Sequence, residues 1–260
     1  MSKVPPKDRR ETIGVRLSEG CSLSATALAE EFDVSPDAIR RDLRALAAEG
    51  RCRRVYGGAL PLSPASTPMR VRGQEAAGRK AALAAAAAAA ARIRPGEFLF
   101  LDNGSTNLAL ARALPAIELT VATNSIAIAA ALAERDDLQL HVLGGVVRPA
   151  IGGCVDADAV AAVQRMNIDL CFLGACAVSL DEGVSAFDPE DAAFKRAALR
   201  CSRRAMLLAT AEKLATRAPY RVAPLDAIDA LVVEHESAGH AEVNAMRTAG
   251  IDVVMADLPL

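Results

Sequence analysis

Two groups of residues in this 260-residue chain are suited to hold phosphate, in different ways. The first is cationic: Arg40, Arg41 and Arg44 lie within "DVSPDAIRRDLRALAAEG" (33–50), and Arg51, Arg53 and Arg54 follow. Guanidinium groups stay charged and match the phosphates and base edges of DNA. The second is small and polar: "LDNGSTN" (101–107), "ATNS" (122–125) and "LGGVVR" (143–148). Glycines let a ligand approach the backbone, and Ser, Thr or Asn at a helix start sits among free N–H groups that favour an anion. Asp102, Gly104, Ser105, Thr106, Asn107, Thr123, Asn124, Ser125, Gly144, Gly145 and Arg148 are therefore candidates to bind a phosphate carried on a hydroxyl-bearing molecule. Lys213, just past "MLLAT", joins them. Each turn alone reads more readily as a plain helix cap; three of them in one sheet weigh towards a site.

The cationic group needs a helix that presents it. Ser35 accepts from a helix start, Pro36 suits the first position and Gly50 suits the end. Ile39, Leu43 and Leu46 form one apolar stripe, with Asp37, Arg41 and Arg44 pointing away and Ala38 and Arg40 on its flanks. Upstream, Ile13 and Leu17 predict a short helix. Ser24 caps a second one, "SATALAEEF", with Ala27, Leu28 and Phe32 inward, and "DVS" is the turn between. This is a helix-turn-helix spacing, and "RCRRVYGGAL" after it reads as a basic β-hairpin, a wing. The residues expected at DNA are Ser24, Thr26, Ser35, Asp37, Ala38, Arg40, Arg41, Arg44, Arg53, Arg54 and Tyr56.

The polar group needs a parallel sheet. "PLSPASTP" is a linker by composition, and an alanine-driven helix runs from about residue 72 to 92. Short apolar strands then alternate with helices: "EFLFLD", "LTVATN", "LQLHVLGG", "LCFLGACAV", "AMLLAT", "ALVVEH" and "IDVVMA". That alternation predicts α/β architecture with helices on both faces and ligands beyond the carboxyl ends of the strands. Lys195 reads as a solvated helix lysine and "DEGVSAFDPED" mostly as an exposed loop. The expected organisation is 1–60 for the head, 61–71 for the linker and 72–260 for the body.

Composition fits this division. Residues 1–60 carry 11 Lys/Arg against 9 Asp/Glu, and the remainder 19 against 23, so a slightly basic head precedes an acidic body. The 6 cysteines form no C-x-x-C pair and no zinc spacing. With no signal peptide in view they read as buried, reduced thiols of a cytoplasmic protein. No metal or cofactor is expected. The apolar tract 81–91 is too short to cross a membrane. Aromatic residues are 3% with no Trp, which argues against a base-stacking pocket.

Through "LAEEFDVSPDAIRRDLRALAAEGRCRRVYGGA" in the head, and "LDNGSTNLALARAL", "VATNS", "LGGVVR" and "EKL" in the body, with Arg72 and Lys80 between, the chain resembles a DeoR-type bacterial transcriptional regulator over residues 7 to 235. The resemblance implies a winged helix-turn-helix on operator DNA and a sensor body similar to ribose-5-phosphate isomerase, most members being repressors released by a phosphorylated sugar or related metabolite. It implies roles for Arg40 and Arg41 in recognition, for Gly104, Ser105 and Thr106 as phosphate loop, for Asn124 as second loop and for Lys213. Ala38 stands where the family usually has Thr, and Thr210 where it usually has an acid. A symmetric homo-oligomer, dimer or tetramer, is expected because a single head offers few contacts. Two alternatives remain at this point: an isomerase-like enzyme, with Asp102 or Glu190 as base, and a DNA-binding regulator whose sensor has lost its ligand.

Overall fold

The computed structural model describes residues 5–18, 23–48, 52–55, 58–61 and 77–256. Its contacts divide the chain into two compact units, 1–72 and 73–260.

The first unit is built as α1 (Pro6–Ser18), β1 (Leu23–Ser24), α2 (Ala25–Glu31), α3 (Pro36–Ala48), β2 (Cys52–Val55) and β3 (Gly58–Pro61). The β2–β3 hairpin adds β1 along its β3 edge, which makes it the wing of a winged helix. Ile13, Leu17, Leu28, Ile39, Leu43 and Leu46 fill the core, as the stripes predict. Ala27, expected inward, faces solvent; the helix turns Ala25 and Ala29 to the core instead. Between α2 and α3, Asp33 takes φ 50 and the Val34 N–H reaches back to the Ala29 carbonyl at 3.0 Å. Asp tolerates that left-handed setting, so the turn is tight. Pro61 pairs with Cys52, placing the first residue of the expected linker inside the wing.

The second unit opens with α4 (Ala77–Ala91). Seven parallel strands follow in the spatial order β15-β14-β12-β9-β4-β5-β6: β4 (Phe98–Leu101), β5 (Leu119–Thr123), β6 (Leu138–Val142), β9 (Ile168–Gly174), β12 (Ser202–Ala209), β14 (Ala230–Val233) and β15 (Val253–Met255). Strand side chains alternate between two helical layers. Leu99, Leu101, Phe172, Leu208 and Val232 pack with α4, α5 (Ser105–Ala113) and α6 (Ile126–Leu132). Phe100, Cys171, Leu173, Leu207 and Val233 pack with α7 (Ala157–Val163), α8 (Pro189–Arg200) and α9 (Ala241–Thr248). A ribbon of β7 (Val147–Arg148) and β8 (Gly153–Cys154) and a second sheet, β10 (Ala177–Ser179), β11 (Gly183–Ala186) and β13 (Tyr220–Ala223), complete the unit. The segment expected as an exposed acidic loop therefore contains β11, whose four residues are all buried. Cys52, Cys154, Cys171 and Cys176 are buried free thiols, and Cys201 is half-buried.

Candidate functional site

In the head, Ser35 caps α3 through the Ala38 N–H at 3.3 Å and Ser24 caps α2 through the Ala27 N–H at 3.5 Å. Ser24, Thr26, Ser35, Asp37, Arg40, Arg41 and Arg44 are all exposed, and Ala38 is half-buried. Arg40 pairs with Asp37 at 2.7 Å, both side chains standing largely in solvent; such a pair is worth at most about 1 kcal/mol and yields readily to a phosphate. The Arg41 Nε donates to the Asp37 carbonyl at 3.4 Å. The expectations for Gly50, Arg51, Tyr56 and Arg72 lie outside the described residues, as do the side chains of Arg53 and Arg54.

Asp42 was not singled out, yet it fixes the angle of α3. Buried on the stripe at the i+3 position from Ile39, it accepts from Arg9 of α1, Nε at 2.7 Å and Nη2 at 2.6 Å. An acid on an otherwise apolar stripe was the signal for such a pair.

In the body, sheet order sets the strand ends in one row. Leu101 pairs with Thr123, Thr123 with Val142, and Leu208 with Gly174, so the turns after β4, β5, β6, β9 and β12 are neighbours. Gly104, at φ 130, precedes α5 and offers no side-chain cap. The first-turn N–H groups of α5 are thus left to an external acceptor. The Lys80 Nζ of α4 lies 2.8 Å from Ser105 Oγ. Burial holds the Lys80 ammonium below its ordinary pKa, opposed by Glu212 and Glu234. A dianion arriving beside it would favour the charged ammonium.

Other candidates do structural work. Thr123 Oγ1 donates to the Leu101 carbonyl at 2.7 Å and accepts from the Ser125 N–H; Ser125 caps α6. The Asn107 Nδ2 ties the Asp102 and Phe172 carbonyls, and that of Asn124 ties the Cys154 carbonyl. Among the described residues, the Oδ1 atoms of both asparagines have no hydrogen-bond partner. Thr106 is buried. A Cβ on Gly144 would meet open space, but one on Gly145 would lie 2.4 Å from Asp156 Oδ1. The close approach at Gly145 is therefore to the cap of α7, which also accepts from the Val146 N–H at 2.6 Å. Arg148 pairs with Asp188 at 2.8 Å and with Glu190 at 3.1 Å. Lys213 is half-buried and ends a short 3-10 turn after Thr210.

Asp102 is neither a cap nor an open hydroxyl acceptor. It is fully buried and accepts from the Lys195 Nζ at 2.6 Å, the Gly174 N–H at 2.8 Å and the Asn103 N–H at 2.9 Å. Lys195, expected in solvent, is buried and also pairs with Asp191 at 2.9 Å. Burial alone would discharge it, but the two carboxylates outweigh burial and hold the ammonium charged, well above the usual lysine range. Burial pushes the Asp102 carboxyl up, with Lys195 pulling against it. The cluster locks the turn that carries Gly104 and Ser105. Glu190, the other nominated base, is exposed. Among the described residues, no group of three or more His, Cys, Asp and Glu is placed to hold a metal, and no helix is long and apolar enough to cross a membrane.

A winged-helix head, followed by a parallel-sheet body with an anion-receptive loop, defines a DNA-binding regulator with a sensor domain. Residues 9–65 match the DeoR-like helix-turn-helix domain and residues 76–235 the DeoR C terminal sensor domain. The chain is similar to the putative aga operon transcriptional repressor of Escherichia coli O157:H7, 28% identical, covering 95% of this chain and 93% of that one. It is likewise similar to the glycerol-3-phosphate regulon repressor of Escherichia coli K12, 31% identical over 82% and 84%. Ribose 5-phosphate isomerase A of Neisseria gonorrhoeae matches at 15% identity and TM-score 0.39, over 54% and 55% of the two chains, too slight a likeness to carry argument. The chain belongs to the DeoR family: it is a DNA-binding transcription regulator, not an enzyme.

Proposed function

We propose that this regulator represses a carbohydrate-metabolism operon and releases it when a phosphorylated sugar or related metabolite binds the body. The observation that carries the reading is the Lys80 ammonium 2.8 Å from Ser105, at a helix start that Gly104 leaves uncapped. The phosphate takes the free N–H groups of α5 and the charge of Lys80, with Lys213 closing the site. The two similar repressors are named for an aga operon and for a glycerol-3-phosphate regulon, which supports an effector of this class. α3 enters the major groove with Arg40, Arg41 and Arg44, and the wing arginines hold the backbone. Bodies pair into a homo-oligomer so that two heads read repeated half-sites, in the cytoplasm.

Control follows from linkage. An effector that prefers the arrangement unfit for DNA lowers DNA affinity by the same factor by which DNA lowers effector affinity. α4 is the first described element after the wing, and its Lys80 touches the phosphate loop, so the site acts on the stretch that leads to the head. The test is a gel-shift titration of the full chain across a panel of sugar phosphates. A sugar phosphate that weakens DNA binding is expected, with the effect lost in Lys80→Met. Identical DNA affinity with every member of the panel sinks the reading.

A further inference from the structure

The seven-stranded sheet ends at β6, and no described residue pairs with its outer edge. Two bonds fix which groups that edge presents. The Leu119 N–H donates to the Asp137 carbonyl, and the Leu143 N–H to the Thr123 carbonyl. In a parallel ladder a residue turns its N–H and C=O to the same side, and successive residues alternate. Gln139 and His141 therefore bond β5, while Leu138, Leu140 and Val142 present their N–H and C=O outward. Open edges are ordinarily blunted by charge, proline or a bulge. β6 reads Leu-Gln-Leu-His-Val, without lysine, acid or proline, and its register with β5 is unbroken.

The surface beside this edge is apolar. Of the six large hydrophobic side chains exposed among the described residues, four are Ile126, Val142, Val146 and Val147. The backbone gathers them at one corner: Ser125 bridges Gly153, and Gly153 pairs with Arg148. α6 packs against β6, and its exposed residues Ile126, Ala127 and Ala130 carry no charge. The helices on the opposite face of the sheet expose Asp158, Glu190, Arg200 and Arg247.

We propose that the open edge of β6, with the uncharged face of α6, is the interface with a second copy of this chain, the two β6 strands pairing antiparallel about a two-fold axis at Leu140. This names the surface for the pairing of bodies proposed above and rests on it. Leu138, Leu140 and Val142 then bond Val142, Leu140 and Leu138 of the second copy, so every outward group is used. Charge selects the direction. Asp136 and Asp137 precede β6, and Gly144, Gly145 and Val146 follow it. A parallel partner would set acid against acid; an antiparallel one sets the acidic end beside the apolar end. The axis stands perpendicular to the sheet, so both α6 helices lie on one face of the joined sheet. Their alanines allow close approach, and Ile126 and Val142 leave water. A closed two-fold pair also consumes the edge and leaves no template for open-ended growth.

The experiment is sedimentation velocity of the full chain at micromolar concentration, wild type beside Val142→Lys and Val142→Pro, with circular dichroism as the check on folding. Val142 is exposed and its N–H points away from β5, so proline there removes no bond within the sheet. Wild type is expected as a dimer or tetramer, and both variants at half its mass with the same spectrum. Cross-linking gives a second measurement. Gln139 of one copy faces His141 of the other in a pair whose Cα atoms stand about 4.5 Å apart, within reach of a disulfide. Gln139→Cys with His141→Cys in one chain should give a covalent dimer under mild oxidation, and either change alone should not. Where a Val142 variant loses its fold, the cross-link decides. Unchanged mass in both folded Val142 variants overturns this interface while the homo-oligomer stands. So does a double variant that gives no covalent dimer, a single variant that gives as much, or a mass that climbs without limit with concentration. A monomeric wild type removes the homo-oligomer and its interface together.

Discussion

On α3, Arg40, Arg41 and Arg44 stand in solvent, and the Asp37 that Arg40 touches is itself exposed. At the strand ends of the body, Lys80, Lys195, Asp102 and Glu234 are buried and held by named partners. In the proposed reading both regions meet phosphate, but for different tasks. A duplex brings many phosphates and a salt atmosphere, so exposed cations on a rigid helix suffice and desolvation is left until binding. A small effector brings one phosphate and a few hydroxyls, so its site must be dry and set in advance.

The contrast is broken most directly at the buried charges. Lys195→Met strands Asp102 and Asp191, and should destabilise the body by about 3–5 kcal/mol in urea unfolding followed by circular dichroism. Asp42→Ala does the same to Arg9 in the head. A loss under about 1 kcal/mol in both would mean that these ions are solvated after all. Arg40→Ala with Arg41→Ala should instead leave the melting temperature unchanged and weaken operator binding about a hundredfold at fixed salt, at about 1–3 kcal/mol per groove contact. Gel shifts at several salt concentrations measure this, and the salt slope should become shallower. Undiminished occupancy would remove α3 as the reading helix.

Two smaller effects sharpen the comparison. Burial raises the Glu234 carboxyl, with the Ala211 N–H and Arg79 opposing. A raised folded-state pKa contributes stability that is full below the unfolded value, 4.5, and is lost as pH rises through the folded one. Unfolding free energy of the wild type should therefore fall relative to Glu234→Gln as pH rises above 4.5; parallel curves would place Glu234 in water. On the head's surface, Glu31→Ala breaks the exposed pair with Arg16 and should cost less than about 1 kcal/mol, less again at high salt.

The same contrast explains what could be read in the sequence. The α3 stripe, its Ser35 cap and the exposed arginines are local patterns of period 3.6, and all stand as expected. So do the strands ending at Leu101 and Thr123 and the row of turns beyond them. What escaped was non-local and buried. Lys195 looks like any helix lysine until Asp102, 93 residues away, is found against it. Gly183–Ala186 reads as loop by its small residues because its burial comes from β10 and β13 on either side. Thr123 and Asn107 look like ligand groups, but their bonds go to backbone carbonyls of adjoining strands.

The inner face of α4 is almost bare: Ala84, Ala87 and Ala91 follow Leu83 against the sheet. Methyl groups make shallow ridges, and a helix seated on them meets little steric resistance to a short glide along its axis. Its axial setting is then held by two adjacent cationic side chains at its leading turn, one gripping Glu234 and the other Ser105. Trading one of those buried alanines for leucine would force a larger side chain into a seam packed for a methyl group, and should cost the body about 1–3 kcal/mol in urea unfolding.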